Sequence, residues 1–291
     1  MSIQYNSQYV DEKYLPILEP NLYTDTVIIP GVTYTDKYVT SPAGQLFVHK
    51  LNKGATILPG SPGRDFSHEA AADELIAIQL NNNFQKSIKI YGVQANAVAF
   101  NMGESYMQMC VETIRESRQY SALACLAYEG TADSTTTAIS TSDGAVAKLI
   151  ELRKAIKDNH GKANYALVST EIYALLLAKL GLQEVYDPAI RTAELLQRFG
   201  LRIMECNSFD NSSAKYIDYA GNTRYVNLSN IEMIVGYNEA FSIVPNLEAM
   251  RIADPAGAFV GSLPQVEMNM GFRVTSPDQV IVKYKTAIIS A

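Results

Sequence analysis

Residues 58–74 read LPGSPGRDFSHEAAADE. Gly60, Gly63 and Arg64 are residue types that can cradle a phosphate. Glycine lets backbone amides approach an anion, and a guanidinium meets it with a planar fork of donors. A working phosphate loop needs GxxxxGK[ST] between a strand and a helix. Here the lysine is missing, no Ser or Thr stands at the motif position, and Pro59 and Pro62 remove amide donors. The residues favour a protruding loop, stiffened by proline, that touches a neighbouring surface.

Other candidate chemistry is equally thin. His49, His68 and His160 have no metal-ligand spacing, and His68-Glu69 is not followed by the second histidine of a zinc motif. No GxSxG elbow and no GxGxxG turn after a strand occurs. Asp65, Asp73 and Glu74 read as a solvated patch without calcium-loop spacing. Lys50, Lys53 and Lys86 read as solubilising charges, and Arg64 as a partner for a carboxylate on a neighbouring chain. Cys110, Cys125 and Cys206 are odd in number and widely spaced, which argues for small core hydrophobes in a reducing compartment. The expectation is a non-enzymatic chain without cofactor or metal.

The chain has 291 residues, 47% hydrophobic, enough for one large domain or two small ones. Only 19% are charged, which hints at a surface covered by partners. A net charge of −6 argues against a dedicated DNA binder, which needs clustered Lys and Arg to displace counterions. The opening MSIQYNSQYVDEKY lacks the basic flank and apolar core of a signal peptide. No apolar run reaches the ~18 residues that span a bilayer.

The elements that must position these residues follow from periodicity. Residues 1–40 carry tyrosines at 5, 9, 14, 23, 34 and 38 and prolines at 16, 20 and 30, with no helical period. TVIIPGVTY is too apolar for water, so this stretch reads as an extended arm packed on something. GQLFVHKL, ELIAIQL and FQKSIKIY alternate with period two, and Asn81–Asn83 reads as a hairpin turn between the last two. A helix over 105–128, roughly 35 Å long, presents Tyr106, Met109, Cys110, Ile114, Ser117, Tyr120, Ala124 and Ala127 on one stripe. TADSTTTAISTSDG marks a connector. The next helix, 143–159, is expected to be capped by Ser142 or Asp143 and to bury Val146, Leu149, Ile150 and Ile156. Strand ANYALVS follows, then helix TEIYALLLAKL capped by Thr170 and stopped by Gly181. A helix from Pro188 and the strands LRIMECN and NIEMIVGY complete a mixed sheet flanked by helices. FSIVPN, LEAMRIA, QVEMNMGFRVT and VIVKYKTAII return the chain to strand.

This order resembles the major capsid protein of tailed bacteriophages, the Hong Kong 97-type α+β fold. GQLFVHKL through ELIAIQLNNNFQKSIKIYGV resembles that family's extended loop. MGESYMQMCVETIRESRQYSALACLAYEG resembles its spine helix. DGAVAKLIELRKAIKDNHGKANYALVSTEIYALLLAK resembles the opening of its axial domain, and GFRVTSPDQVIVKYK resembles the family's last strands. The resemblance covers nearly the whole chain and rests on order and periodicity.

The resemblance implies an N-terminal arm over 1–40, an extended β-hairpin loop over 41–91, a peripheral domain over 92–139 and 241–291 with the spine helix, and an axial domain over 140–240, which the final strand can join. It implies pentamers and hexamers in an icosahedral or prolate shell that encloses double-stranded DNA without sequence-specific binding. Loop residues Lys53, Pro59, Gly60, Pro62, Gly63, Arg64, Asp65 and Phe66 would touch a neighbouring copy. Because the sequence begins almost directly with the arm, a separate scaffolding protein or a removed segment is expected, with portal and decoration proteins, in a virion assembled in the bacterial cytoplasm. Some coats join a loop lysine to a neighbour's asparagine, but no partner for Lys50 or Lys53 is evident and that chemistry is not carried over. The alternatives are an encapsulin shell, whose N-terminus is usually helical, and a soluble α+β enzyme or binding module.

Overall fold

A computed structural model describes residues 33–34, 45–51, 73–91, 102–182, 187–253 and 261–286. In chain order the strands β1 (Thr33–Tyr34), β2 (Gln45–Leu51), β3 (Asp73–Gln79), β4 (Asn82–Ser87) and β5 (Ile90–Tyr91) precede the long helix α1 (Met102–Glu129). Then come β6 (Thr131–Ala132), α2 (Ser142–Asp158), β7 (Tyr165–Val168), α3 (Thr170–Leu180), α4 (Pro188–Phe199) and β8 (Arg202–Glu205). The chain finishes with β9 (Ala214–Ile217), β10 (Thr223–Val226), β11 (Ile231–Gly236), β12 (Phe241–Ala253), β13 (Gly261–Val274) and β14 (Val280–Tyr284).

Two sheets organise these elements. The first runs β1-β12-β13-β4, with β5 also on β13. Its spine is the long antiparallel pair β12–β13, whose register slips between Pro245 and Leu247. Proline brings no N–H to the ladder, so the two short runs expected there form one strand with a local bulge. The second sheet, β6-β14-β11-β7-β8, is mixed, as expected: β7–β8 and β14–β6 are parallel while β11 is antiparallel to both neighbours.

Both faces of the mixed sheet are buried, which is why Tyr165, Ala166, Leu167 and Val168 are all inaccessible. Tyr165, Leu167, Ile234, Val280 and Val282 join the core that holds the end of α1 and the β12–β13 sheet. Ala166, Val168, Met233, Val235 and Ile281 face the other way, into the core that buries residues of α2, α3 and α4. At about 25 cal/mol per Å² of apolar surface, these two cores are the main source of stability.

Several local expectations need correction. Asn81–Asn83 does not reverse the chain: β3 pairs with β2, whereas β4 begins at Asn82 and runs along β13. The amides find partners elsewhere, Asn82 bracketing the backbone of Ile217 and Asn81 donating to the Asp218 carbonyl. The α2 cap is Thr141, whose hydroxyl accepts from Gly144 N at 3.1 Å, not Ser142 or Asp143. The α3 cap is Ser169, one residue before Thr170. Each cap falls on the last extended residue before the turn, where its oxygen can reach a free N–H. Ile150 is 54% exposed, and Leu152 takes its expected place in the core. In α1 the expected stripe holds at Cys110, Ile114, Ala124 and Ala127, but Met109 is exposed and every residue from Ser121 to Ala127 is buried. The end of α1 is enclosed by both sheets and by the hairpin β9–β10, so no polar face is left there. That hairpin is absent from the sequence reading; its turn carries Gly221 at φ 85°, a backbone that glycine adopts without strain.

Candidate inter-subunit surfaces

Lys53, Pro59, Gly60, Pro62, Gly63, Arg64, Asp65 and Phe66 all lie outside the described residues. What is described is the stem that carries them: β2 and β3 pair antiparallel from Gln45↔Gln79 to Leu51↔Asp73, so residues 52–72 connect two hydrogen-bonded strand ends. The stem is seated by close packing. Gln79 O would lie 2.7 Å from a Cβ at Gly271, and Ile78 and Leu80 crowd the same point. Ile78, Leu80 and Val244 form a small buried cluster of their own.

The connector between α1 and α2, read in sequence as a plain linker, is pinned by buried charges. Lys283 is 1% exposed and donates from Nζ to the carbonyls of Thr135, Thr137 and Tyr284 at 2.8–2.9 Å. Glu232, also buried, accepts from Ile139 N at 2.8 Å, and its second oxygen lies 3.8 Å from the Lys283 ammonium. Burial pulls the Lys283 ammonium below the usual lysine range. Beside it Lys148 meets Asp133 at 2.8 Å and Glu151 at 3.0 Å. Burial opposes the Asp133 charge, but hydrogen bonds from Lys148 and Thr135 and the lysine's charge outweigh it and hold the carboxyl below the usual range. The single Lys and Glu letters at 283 and 232, each inside an apolar strand, were the available signal.

Glu129 closes α1. Its carboxylate accepts from Arg273 Nη1 at 3.0 Å and from Val274 N at 2.9 Å, tying the helix end to β13. Burial pushes this carboxyl up against those two partners. Around it stands an aromatic patch: Arg273 lies 4.0 Å over the Tyr219 ring and Arg224 lies 5.1 Å over Tyr128, while Arg224 Nε donates to Asp218 at 2.8 Å. Tyr128, Tyr219 and Tyr225 are 49–70% exposed. Exposed tyrosine beside paired arginine is the composition of a protein-binding surface.

A groove of about 460 Å³ runs between β4, α1 and β9. Phe84, Ile114 and Tyr120 give it an apolar floor, and Asn83, Thr113, Ser117 and Ser213 supply amides and hydroxyls. Lys86 and Lys215 are its charged lining.

Nothing in the described residues converges on catalysis. No cluster of three or more metal-ligating side chains occurs among them. Cys110, Cys125 and Cys206 are buried, and burial pushes each thiol up, Cys206 to about 12, so they are inert core residues as expected. His160 sits just past the end of α2, and the side chains of His49 and His68 lie outside the described set. No described helix is long and apolar enough to cross a membrane.

No family model and no curated protein matches the sequence. Solved structures do match its fold. A chain of the capsid of cyanophage P-SCSP1u aligns with TM-score 0.72 at 15% identity, over 96% of this chain and 93% of that one. A chain from Mycobacterium phage Che8 aligns with TM-score 0.65 at 17% identity, over 96% and 98%. A virus-like particle from Pyrococcus furiosus aligns with TM-score 0.51 at 12% identity, over 82% and 85%. The architecture is thus similar to that of chains from solved capsids. More narrowly, its mixed helix-and-sheet fold matches that of phage capsid chains.

Proposed function

We propose that this chain is the major capsid protein of a tailed bacteriophage, a non-enzymatic subunit that self-assembles into the shell around the genome. The observation that carries this is reciprocal full-length similarity: the alignment leaves neither this chain nor the phage chains with a large unmatched part in which a separate activity would reside. Residues 1–40 are assigned to an arm, 41–91 to the extended loop, 92–139 and 241–291 to the peripheral domain and 140–240 to the axial domain. The place of β14 between β6 and β11 supports moving the last strand to the axial unit. In this reading Lys53, Pro59, Gly60, Pro62, Gly63, Arg64, Asp65 and Phe66 contact a neighbouring copy, and scaffolding, portal and decoration proteins are the further partners. Assembly takes place in the bacterial cytoplasm and the product is the virion.

The second reading, an encapsulin compartment, is favoured by the similarity to the Pyrococcus furiosus particle. Light scattering and electron microscopy of particles purified from infected or producing cells decide between them. Closed shells holding nuclease-protected DNA support the capsid. Shells holding an enzyme and no DNA support the compartment, and a stable monomer contradicts both.

A further inference from the structure

We propose that residues 287–291 add to the open edge of the β9–β10 hairpin as a third strand, antiparallel to β10 and within the same chain. The inference goes beyond the shell reading and does not rest on it. The edge is defined by hydrogen bonds. In an antiparallel pair, residues that do not bond each other turn their amides and carbonyls outward on both strands. Asn82 takes both main-chain groups of Ile217, and Ser121 takes the Lys215 carbonyl, so Ile217 and Lys215 face outward from β9. Their partners across the hairpin are Thr223 and Tyr225. These two therefore turn N–H and C=O to the far side of β10, and among the described residues neither main chain has a partner there. A free strand edge is a template for an incoming chain, and proteins cover such edges.

Three observations select residues 287–291 as the occupant. The first is direction. β14 runs antiparallel to β11, with Tyr284 opposite Ile231, and Lys285 N continues that ladder onto the Asn230 carbonyl at 2.7 Å. The Asn230 side chain then holds Thr286 through its N–H, hydroxyl and carbonyl at 2.9–3.1 Å. From this point the chain heads back toward β10. The second is side. β11 carries β7 on one edge and β14 on the other. The chain from β8, next to β7, arrives on the first side: Asn211 accepts from Leu228 N at 2.9 Å, and Ala214 pairs with Val226. Lys285 and Thr286 lie on the second side, and the open edge of β10 continues that side. The third is register. Continued in the β11–β14 register, Ile289, Ser290 and Ala291 fall opposite Val226, Tyr225 and Arg224. The 3₁₀ turn Leu228–Asn230 advances ~2.0 Å per residue against ~3.3 Å in a strand, which leaves slack for that span. The sequence agrees, since VIVKYKTAII carries β-branched residues past Tyr284, where β14 ends.

The β10 strand of another copy fits this edge less well. Paired antiparallel through Thr223 and Tyr225, it would set Arg224 against Arg224, and like charges directly opposite oppose pairing. The added strand also joins two parts of the fold. The hairpin packs on α1, where the Tyr216 and Tyr128 rings meet edge to face at 6.0 Å, while β14 belongs to the mixed sheet. Residues 287–291 strap the hairpin, and with it the aromatic patch, to that sheet.

The test reads amide hydrogen exchange, resolved to single residues, in the full-length chain. Thr223 and Tyr225 are expected to exchange slowly. Deleting residues 287–291, or combining Ile288→Pro with Ser290→Pro at full length, is expected to speed both about tenfold and to leave Arg224 and Val226, which bond to β9, unchanged. Tyr225→Cys with Ser290→Cys is expected to close a disulfide on mild oxidation; the three native cysteines are buried and do not compete. In an equal mixture of isotopically heavy and light chains, the two linked peptides are expected to carry the same isotope. Fast exchange at both residues in the unaltered chain, with no disulfide between positions 225 and 290, overturns the proposal. Slow exchange that survives the deletion gives the edge to another occupant, and disulfides joining heavy to light chains give it to a second copy; either result overturns the assignment. Particle formation enters none of these outcomes, so the shell reading stands or falls separately.

Discussion

At the scale of single residues, Lys283 is the clearest commitment the sequence makes. A lysine inside an apolar strand is costly unless every proton finds an acceptor, and here Nζ donates to three carbonyls with Glu232 beside it. Lys283→Met is expected to destabilise the chain by about 3–5 kcal/mol in denaturant titration, because it orphans those carbonyls and leaves Glu232 buried without its counter-charge. Adding Glu232→Gln should recover part of the loss, a coupling that a double-mutant cycle reads directly. Asp133 makes a separate prediction. Its carboxyl is held below 3.8 in the folded chain, so its stabilising share is present above that value and fades as pH falls through the folded one. Asp133→Asn should cost about 2 kcal/mol at pH 7, with Glu151 still partnering Lys148, and the gap to wild type should close in thermal melts below pH 4.

At the scale of elements, the seat of the β2–β3 stem on β13 depends on one missing side chain. Gly271→Ala places a methyl group 2.7 Å from a backbone oxygen that cannot rotate away, so the end of β3 must shift. The expected cost is about 1–3 kcal/mol by chemical denaturation, with a larger proportional loss in particle yield, because the stem carries residues 52–72. Some helix ends were readable beforehand: Gly181 takes left-handed backbone as its position demands, and Pro188 starts α4, while the left-handed Gly200 that ends α4 was not singled out. Strands were readable as strands but not as partners. Alternation shows which residues of ELIAIQL and FQKSIKIY face inward, yet it contains nothing that sends β4 to β13 rather than back to β3. Of the asparagines that look like a turn, Asn81 and Asn82 are cross-braces to Asp218 and Ile217, more than 130 residues away, and Asn83 donates to Glu267. The candidate loop residues were read from the Pro/Gly composition of the segment and from the resemblance, and they lie outside the described residues; the groove and aromatic patch were not legible, since both are assembled from segments distant in sequence.

At the scale of the whole molecule, the account holds that surfaces left open on one chain are closed by copies of itself. Deleting residues 58–68 should therefore leave the far-ultraviolet circular dichroism and melting of the monomer close to wild type while gel filtration shows weakened or abolished shell formation. Normal shells from the deletion would remove the loop from the assembly contacts. The most direct test is a cryo-electron microscopy map of the assembled product at side-chain resolution. The account predicts a closed shell of pentamers and hexamers in which residues 1–32 and 52–72 of each chain lie against neighbours. A map in which both segments fold back onto their own chain, with no contact between copies through them, would contradict it.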